Sequence, residues 1–153
     1  MTFSEIKAGN IQLQKELLLI ALWTPDDEAD HSPEVLELPH IKAYYENWGR
    51  EGDIGFFAMS PDSTPMSIVQ ARYKSSQTKA YSDYPEVAIA IHPNYRGQGI
   101  ASALMEQLIK STPSGLRLGV HPKNTSAIKL YEKYGFRTYE VAESGYAQMV
   151  REI

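Results

Sequence analysis

Apolar positions along this chain follow two rhythms, and each change of rhythm marks an element boundary. Over Ile11–Trp23 the residues Leu13, Leu17, Leu18 and Ile20 recur at helical spacing. Over Ile100–Lys110 the residues Ile100, Leu104 and Leu108 do the same, with Ala101 and Met105 beside them. Short β-rich runs occupy Thr2–Lys7, Ile54–Met59, Met66–Tyr73, Glu86–Ile91, Leu116–Val120, Phe136–Val141 and Ala147–Arg151. Two more helices are predicted, over Ile41–Trp48, stopped by Gly49, and over Ser126–Tyr134, closed by Gly135. Asn10 stands where an N-cap for the first helix belongs. The segments between are polar: Thr24–Pro39 is broken by Pro25, Pro33 and Pro39, Ser60–Pro65 is a hairpin-like turn, and Lys74–Pro85 is a second loop.

The order is therefore β-α-α-β-β-β-α-β-α-β-β. Neither repeated βα units nor an all-antiparallel pattern fits it, and the expectation is a mixed α/β (α+β) fold, a sheet with helices on both faces. At 153 residues, with 42% hydrophobic and 22% charged content, one domain over residues 1–153 with a real core is expected. No cysteine is present, which removes disulfides, thiolate metal sites and a cysteine nucleophile, and fits a cytoplasmic protein. No signal peptide is read at Met1–Glu5, and Leu17–Trp23 is too short an apolar stretch to span a bilayer, so no membrane partner is expected. A net charge of −4 argues against nucleic acid, whose phosphates call for a basic face.

The most specific chemistry lies at Arg96-Gly97-Gln98-Gly99-Ile100-Ala101, between the run Glu86–Ile91 and the helix start. A glycine-rich turn opening a helix is an anion site, because its amides lack helical partners and the helix dipole adds positive potential. A nucleoside-triphosphate P-loop is excluded, since no lysine follows Gly99. A dinucleotide fingerprint fits poorly: His92–Arg96 intervenes between strand and glycines, and the next strand runs into His121-Pro122 where an acid is needed.

Taken as R-x-x-G-x-A, Arg96–Ala101 resembles the pyrophosphate-binding motif of the GNAT superfamily of acyl-CoA-dependent N-acetyltransferases. Glu86–Ala101 as a whole is similar to that family's fourth strand, turn and helix start. Asn124–Phe136 matches its N-x-x-A-x-x-[LF]-Y-x-x-x-G-F signature through Asn124, Ala127, Leu130, Tyr131, Gly135 and Phe136. The resemblance covers Glu86–Phe136 by motif and the N-terminal half by element order alone. It implies a GNAT-like, mostly antiparallel mixed sheet whose fourth and fifth strands splay apart.

It also implies a function: direct transfer of acetyl from acetyl-CoA to a primary amine, without a metal. A non-catalytic acyl-CoA-binding module on the same fold is the alternative. The resemblance places the coenzyme's pyrophosphate on the amides of Gly97, Gln98, Gly99, Ile100, Ala101 and Ser102, with Arg96 adding charge, and its pantetheine arm along the backbone of Ile89, Ala90 and Ile91. Asn124, Ala127 and Tyr131 share one helix face; the family's asparagine bonds the arm, and its tyrosine serves the departing thiolate as an acid. Glu86 stands where many members carry a catalytic glutamate, and a substrate anchor or a solvated strand end are equally open readings. His92 and His121 are other candidate bases, each before a proline at a strand end, a setting that favours a structural role. Tyr44 and Trp48 are candidates for a wall of the acceptor pocket, and Asp26, Asp27, Glu28 and Asp30 for attracting a cationic acceptor. The identity of that amine is not legible here. The family often forms homodimers, which makes one an expectation.

Overall fold

The computed structural model describes residues 1–25 and 28–153. Among these described residues seven strands form one sheet: β1 (Thr2–Glu5), β2 (Ile54–Met59), β3 (Pro65–Arg72), β4 (Glu86–Ile91), β5 (Leu116–Val120), β6 (Arg137–Val141) and β7 (Ala147–Arg151). Their spatial order is β1-β2-β3-β4-β5-β7-β6, antiparallel throughout except for β4 beside β5. The helices are α1 (Ile11–Ala21), α2 (Pro39–Lys42), α3 (Ile100–Ser111) and α4 (Thr125–Lys133). Among the described residues no helix is long and apolar enough to cross a membrane.

Strand alternation divides the core in two. On one face Phe56, Val69, Ala71 and Val87 meet Ile100, Leu104, Met105 and Leu108 of α3 and Tyr131 of α4. On the other, Phe57, Ile68 and Ala90 meet Leu17 and Leu18 of α1 and the Leu36–Trp48 region. The stripe predicted for α3 is the one buried, and each such side chain contributes at most about 1.5–3 kcal/mol.

Two helix ends are built differently from expectation. Asn10 precedes α1, but its Oδ1 accepts from the Lys7 amide at 2.8 Å, bracing the turn before the helix. The helix expected over 41–48 stops at Lys42. The fully buried Arg72 explains this: it pairs with both oxygens of Asp53 (2.9 and 2.8 Å) and donates to the carbonyls of Ala43 (3.2 Å) and Glu46 (2.6 Å). Carbonyls that would serve a continuing helix are thus drawn to a side chain from the sheet, and Asn47 turns the chain at φ 56°. A propensity-based helix yields to a tertiary contact.

Candidate active site

The ladder between β4 and β5 holds one residue pair, Glu86 with Arg117, and then opens. The His92 amide donates to Met66 O on β3 at 2.9 Å, so by alternation Ala90 and Ala88 also direct their amides to β3. Ile89 and Ile91 therefore present N–H and C=O to the opening. Ala90, grouped with them from sequence, contributes its small side chain to the wall and not its amide. A cleft of about 1160 Å³ begins here, lined on one side by Ile89–Ile91 and on the other by Gly119, Val120 and His121.

At the end of β4 the chain turns through Gly97 (φ 77°) and Gly99 (φ 78°), and Gly99 is the residue before α3. Both angles lie in the left-handed region that only glycine adopts freely. No atom stands within 4 Å of where a Cβ would project from either, so the turn faces open space. Arg96 is exposed, and its Nε donates to Ile91 O at 3.3 Å. Arg96, Gly97, Gly99, Ile100, Ala101 and Ser102 all line the cleft. Gln98 does not, although its amide belongs to the same turn, and its side chain is exposed. Lys133 Nζ, 3.4 Å from Ser102 Oγ, brings a second cation near this helix start.

Across the opening, α4 places Asn124, Ala127 and Tyr131 on the cleft wall as the i, i+3, i+7 spacing predicts. Asn124 Oδ1 accepts from the Ala127 amide at 3.3 Å, capping the helix and leaving its NH₂ group free to donate. Tyr131 is 8% exposed and packs against Phe136 with the rings tilted by 56° and their centroids 5.8 Å apart. Burial alone pushes its phenol up to about 12. The hydroxyl has no hydrogen-bond partner among the described residues, and the side chain lines the cleft.

Glu86 sits at the head of the opening, its carboxylate engaged at both oxygens. Arg117 Nη1 donates to Oε1 at 2.8 Å, the Tyr44 hydroxyl donates to Oε2, and Lys74 Nζ lies 3.5 Å from Oε2. Each nitrogen of the Arg117 guanidinium is engaged, with Nε donating to Tyr84 O (2.8 Å) and Nη2 to Lys74 O (2.6 Å). Burial first, then the adjacent Glu86 charge, pushes the Tyr44 phenol well above its ordinary value, so Tyr44 remains a donor. Tyr44 is fixed from behind as well, its carbonyl accepting from the buried Gln70 side chain at 2.8 Å.

Several expectations resolve differently. Trp48 is not brought to the cleft: it is 7% exposed within the core, donates Nε1–H to Ile6 O at 3.0 Å, and lies under the Arg72 guanidinium. Burial of the indole against α1 and β1 outweighs display in a pocket. His92 and His121 each accept a backbone amide at Nδ1, from Asn94 (3.2 Å) and Lys123 (3.1 Å). Each ring is thereby tied to its own turn, the structural role that its place before a proline favours. Of the acidic loop, Asp26 and Asp27 lie outside the described residues, and Asp30 is exposed and bonded to Thr24 Oγ1. Two aromatic residues, Trp23 and Tyr146, were not anticipated. Trp23 leaves the end of α1 to meet His121 (5.1 Å), which meets Tyr146 (5.3 Å), and all three line the cleft. Their positions depend on contacts across the sheet, which no local pattern announces.

Comparison with known proteins agrees with this geometry. The chain belongs to the acetyltransferase (GNAT) family, whose model matches residues 18–136. Over 50 residues it is 42% identical to the peptidyl-lysine N-acetyltransferase YjaB of Salmonella typhimurium. That stretch is 33% of this chain and 34% of YjaB, so the match spans about a third of that relative's length. The fold is that of a GNAT superfamily phosphinothricin acetyltransferase from Sinorhizobium meliloti, solved in complex with acetyl-CoA. The two share 18% identity and a TM-score of 0.70, over 99% of this chain and 88% of that one. The spermidine N-acetyltransferase SpeG of Vibrio cholerae superposes at a TM-score of 0.62 with 18% identity, over 99% and 95% of the two chains.

Proposed function

We propose that the protein is an N-acetyltransferase that passes acetyl directly from acetyl-CoA to a primary amine. The observation that carries this is the opened β4–β5 pair ending in the Gly97–Gly99 turn, with Tyr131 facing it. The residues suit the coenzyme in two respects: the Ile89 and Ile91 backbone groups at the opening lack ladder partners, and the turn's amides face unobstructed space. The amides of residues 97–102 hold the pyrophosphate at the positive end of α3, with Arg96 beside them. The Ile89 and Ile91 backbone and the Asn124 NH₂ group hold the arm. When bound, acetyl-CoA supplies the thioester that is the acetyl donor.

The chain's own groups then act as follows. An amide of Ile89 or Ile91 meets the negative charge that develops on the carbonyl oxygen. Tyr131 donates a hydrogen bond to the departing sulfur. Glu86 receives the amine and takes its proton once Lys74 yields Oε2. Overall a nitrogen–carbon bond forms and a carbon–sulfur bond breaks; the ammonium gives up two protons, one ending on sulfur and one in solvent. A cytoplasmic setting belongs to the same reading and rests on the absence of cysteine.

A thermal-shift titration with acetyl-CoA and CoA tests the coenzyme site. At a hundredfold excess over Kd the expected stabilisation is about 2.7 kcal/mol, and no shift at millimolar coenzyme would remove the assignment.

A further inference from the structure

The charges at the acceptor end of the cleft do not balance. The charged side chains lining the cleft, among the described residues, are Arg96 at the glycine turn and Lys74 and Glu86 at the other end. Arg117, 2% exposed, already neutralises Glu86 through Oε1. The Lys74 ammonium is therefore surplus, yet its side chain is only 11% exposed. Its oxygen contacts, Glu86 Oε2 and Ser75 O, both stand at 3.5 Å, outside ordinary hydrogen-bond range, and its third neighbour is the face of the Tyr44 ring at 4.4 Å. An ammonium with three donors, nearly buried and poorly bonded, is costly unless a further acceptor arrives.

We propose, building on the acetyltransferase reading above, that the acceptor is a free α-amino acid, its carboxylate received by Lys74 and its amino group by Glu86. The two side chains are adjacent and opposite in charge, and an α-amino acid carries its opposite charges on one carbon and its neighbour. The incoming carboxylate draws Lys74 away from Glu86 Oε2, which keeps its bond from the Tyr44 hydroxyl and offers its remaining lone pair to the amine. Binding of the correct substrate thereby frees its own base. A polyamine meets the arrangement badly, since its second cation faces Lys74. The side chain of the amino acid extends toward Trp23, His121 and Tyr146, with Val35 and Ile41 nearby, which favours apolar or aromatic side chains.

The test uses the full-length protein with saturating acetyl-CoA and follows thiol release with the twenty L-amino acids. The best acceptor is then compared with its carboxamide, its decarboxylated amine and spermidine. The expected result is a kcat/KM at least tenfold higher for the amino acid than for the other three. In Lys74→Met that preference collapses, while the acetyl-CoA thermal shift persists and shows the variant folded; Lys74→Arg restores part of the preference. Equal or better turnover of the decarboxylated amine or spermidine by the native protein would overturn the proposal, as would an unchanged preference in Lys74→Met. A parallel thermal shift with each acceptor in the presence of CoA separates the two readings. If no amine is acetylated, the acetyltransferase reading fails, and stabilisation by an amino acid but not by its amide still decides for or against the Lys74–Glu86 site.

Discussion

Arg117→Met is the substitution whose outcome depends most on the geometry at the head of the cleft. Arg117 makes three bonds at 2.6–2.8 Å, to Glu86, Tyr84 O and Lys74 O, at the point where β4 and β5 part. Methionine preserves much of the volume but leaves Glu86 without its main cation and two carbonyls without their donor. Removing one partner of a buried ion pair typically costs about 3–5 kcal/mol. Here Glu86 is 12% exposed and keeps Tyr44 and Lys74, while the orphaned carbonyls add a penalty, so a loss of about 3 kcal/mol is expected. Glu86→Gln in the Arg117→Met background removes the uncompensated charge and recovers about 1–2 kcal/mol. Urea unfolding of the native protein, both single variants and the double variant, compared at constant m, measures the coupling. A coupling below about 0.5 kcal/mol would refute the claim that Arg117 holds the Glu86 carboxylate in place.

Three further outcomes follow from the site and its supports. Tyr131→Phe removes one hydrogen bond to a developing anion, worth about 1.5–3 kcal/mol, so kcat falls roughly 10- to 100-fold while the acetyl-CoA thermal shift stays within error; steady-state kinetics with unchanged kcat would remove the role. Gly99→Ala puts a side chain at φ 78°, in open space, so backbone strain alone acts: about 1–2 kcal/mol of stability and weaker acetyl-CoA binding, read by urea unfolding and calorimetry. Burial pushes the Asp53 carboxyl up, but Arg72 and the amides of Gly49 and Arg50 outweigh it and hold the group below its ordinary 3.8. Its contribution is therefore present above that value and lost as pH falls through the lower folded-state value. Asp53→Asn is accordingly less stable than the native protein at neutral pH and loses less on acidification below about pH 4, which urea midpoints across pH would show.

The region from Glu86 to Phe136 was legible because its determinants are local. A strand, a glycine pair with positive φ and a helix face at i, i+3, i+7 leave marks within a few residues of one another, and the structure reproduces all of them. The acceptor end was not, because long-range contacts decide it. Arg72 reaches from the sheet to end the helix expected over 41–48, Trp48 is drawn into the core by that same contact, and Trp23 leaves α1 to meet His121 on the far wall. Lys74 follows β3 inside a polar loop and looks there like any solvated lysine. Only the carbonyl that Arg117 grips at 2.6 Å turns its side chain toward Glu86. Among the described residues of the cleft the charges at this end are Lys74 and Glu86, while Asp26 and Asp27 of the expected acidic loop lie outside the described residues.

The central claim is transfer of acetyl to an amine in the opening between β4 and β5. Amine-dependent release of free thiol from acetyl-CoA, across amino acids, peptides and polyamines, tests it most directly. The account predicts release well above the amine-free rate for at least one class, lowered 10- to 100-fold by Tyr131→Phe. Clear stabilisation by acetyl-CoA with no amine accelerating thiol release would contradict it, and would leave a protein that binds the coenzyme without using it.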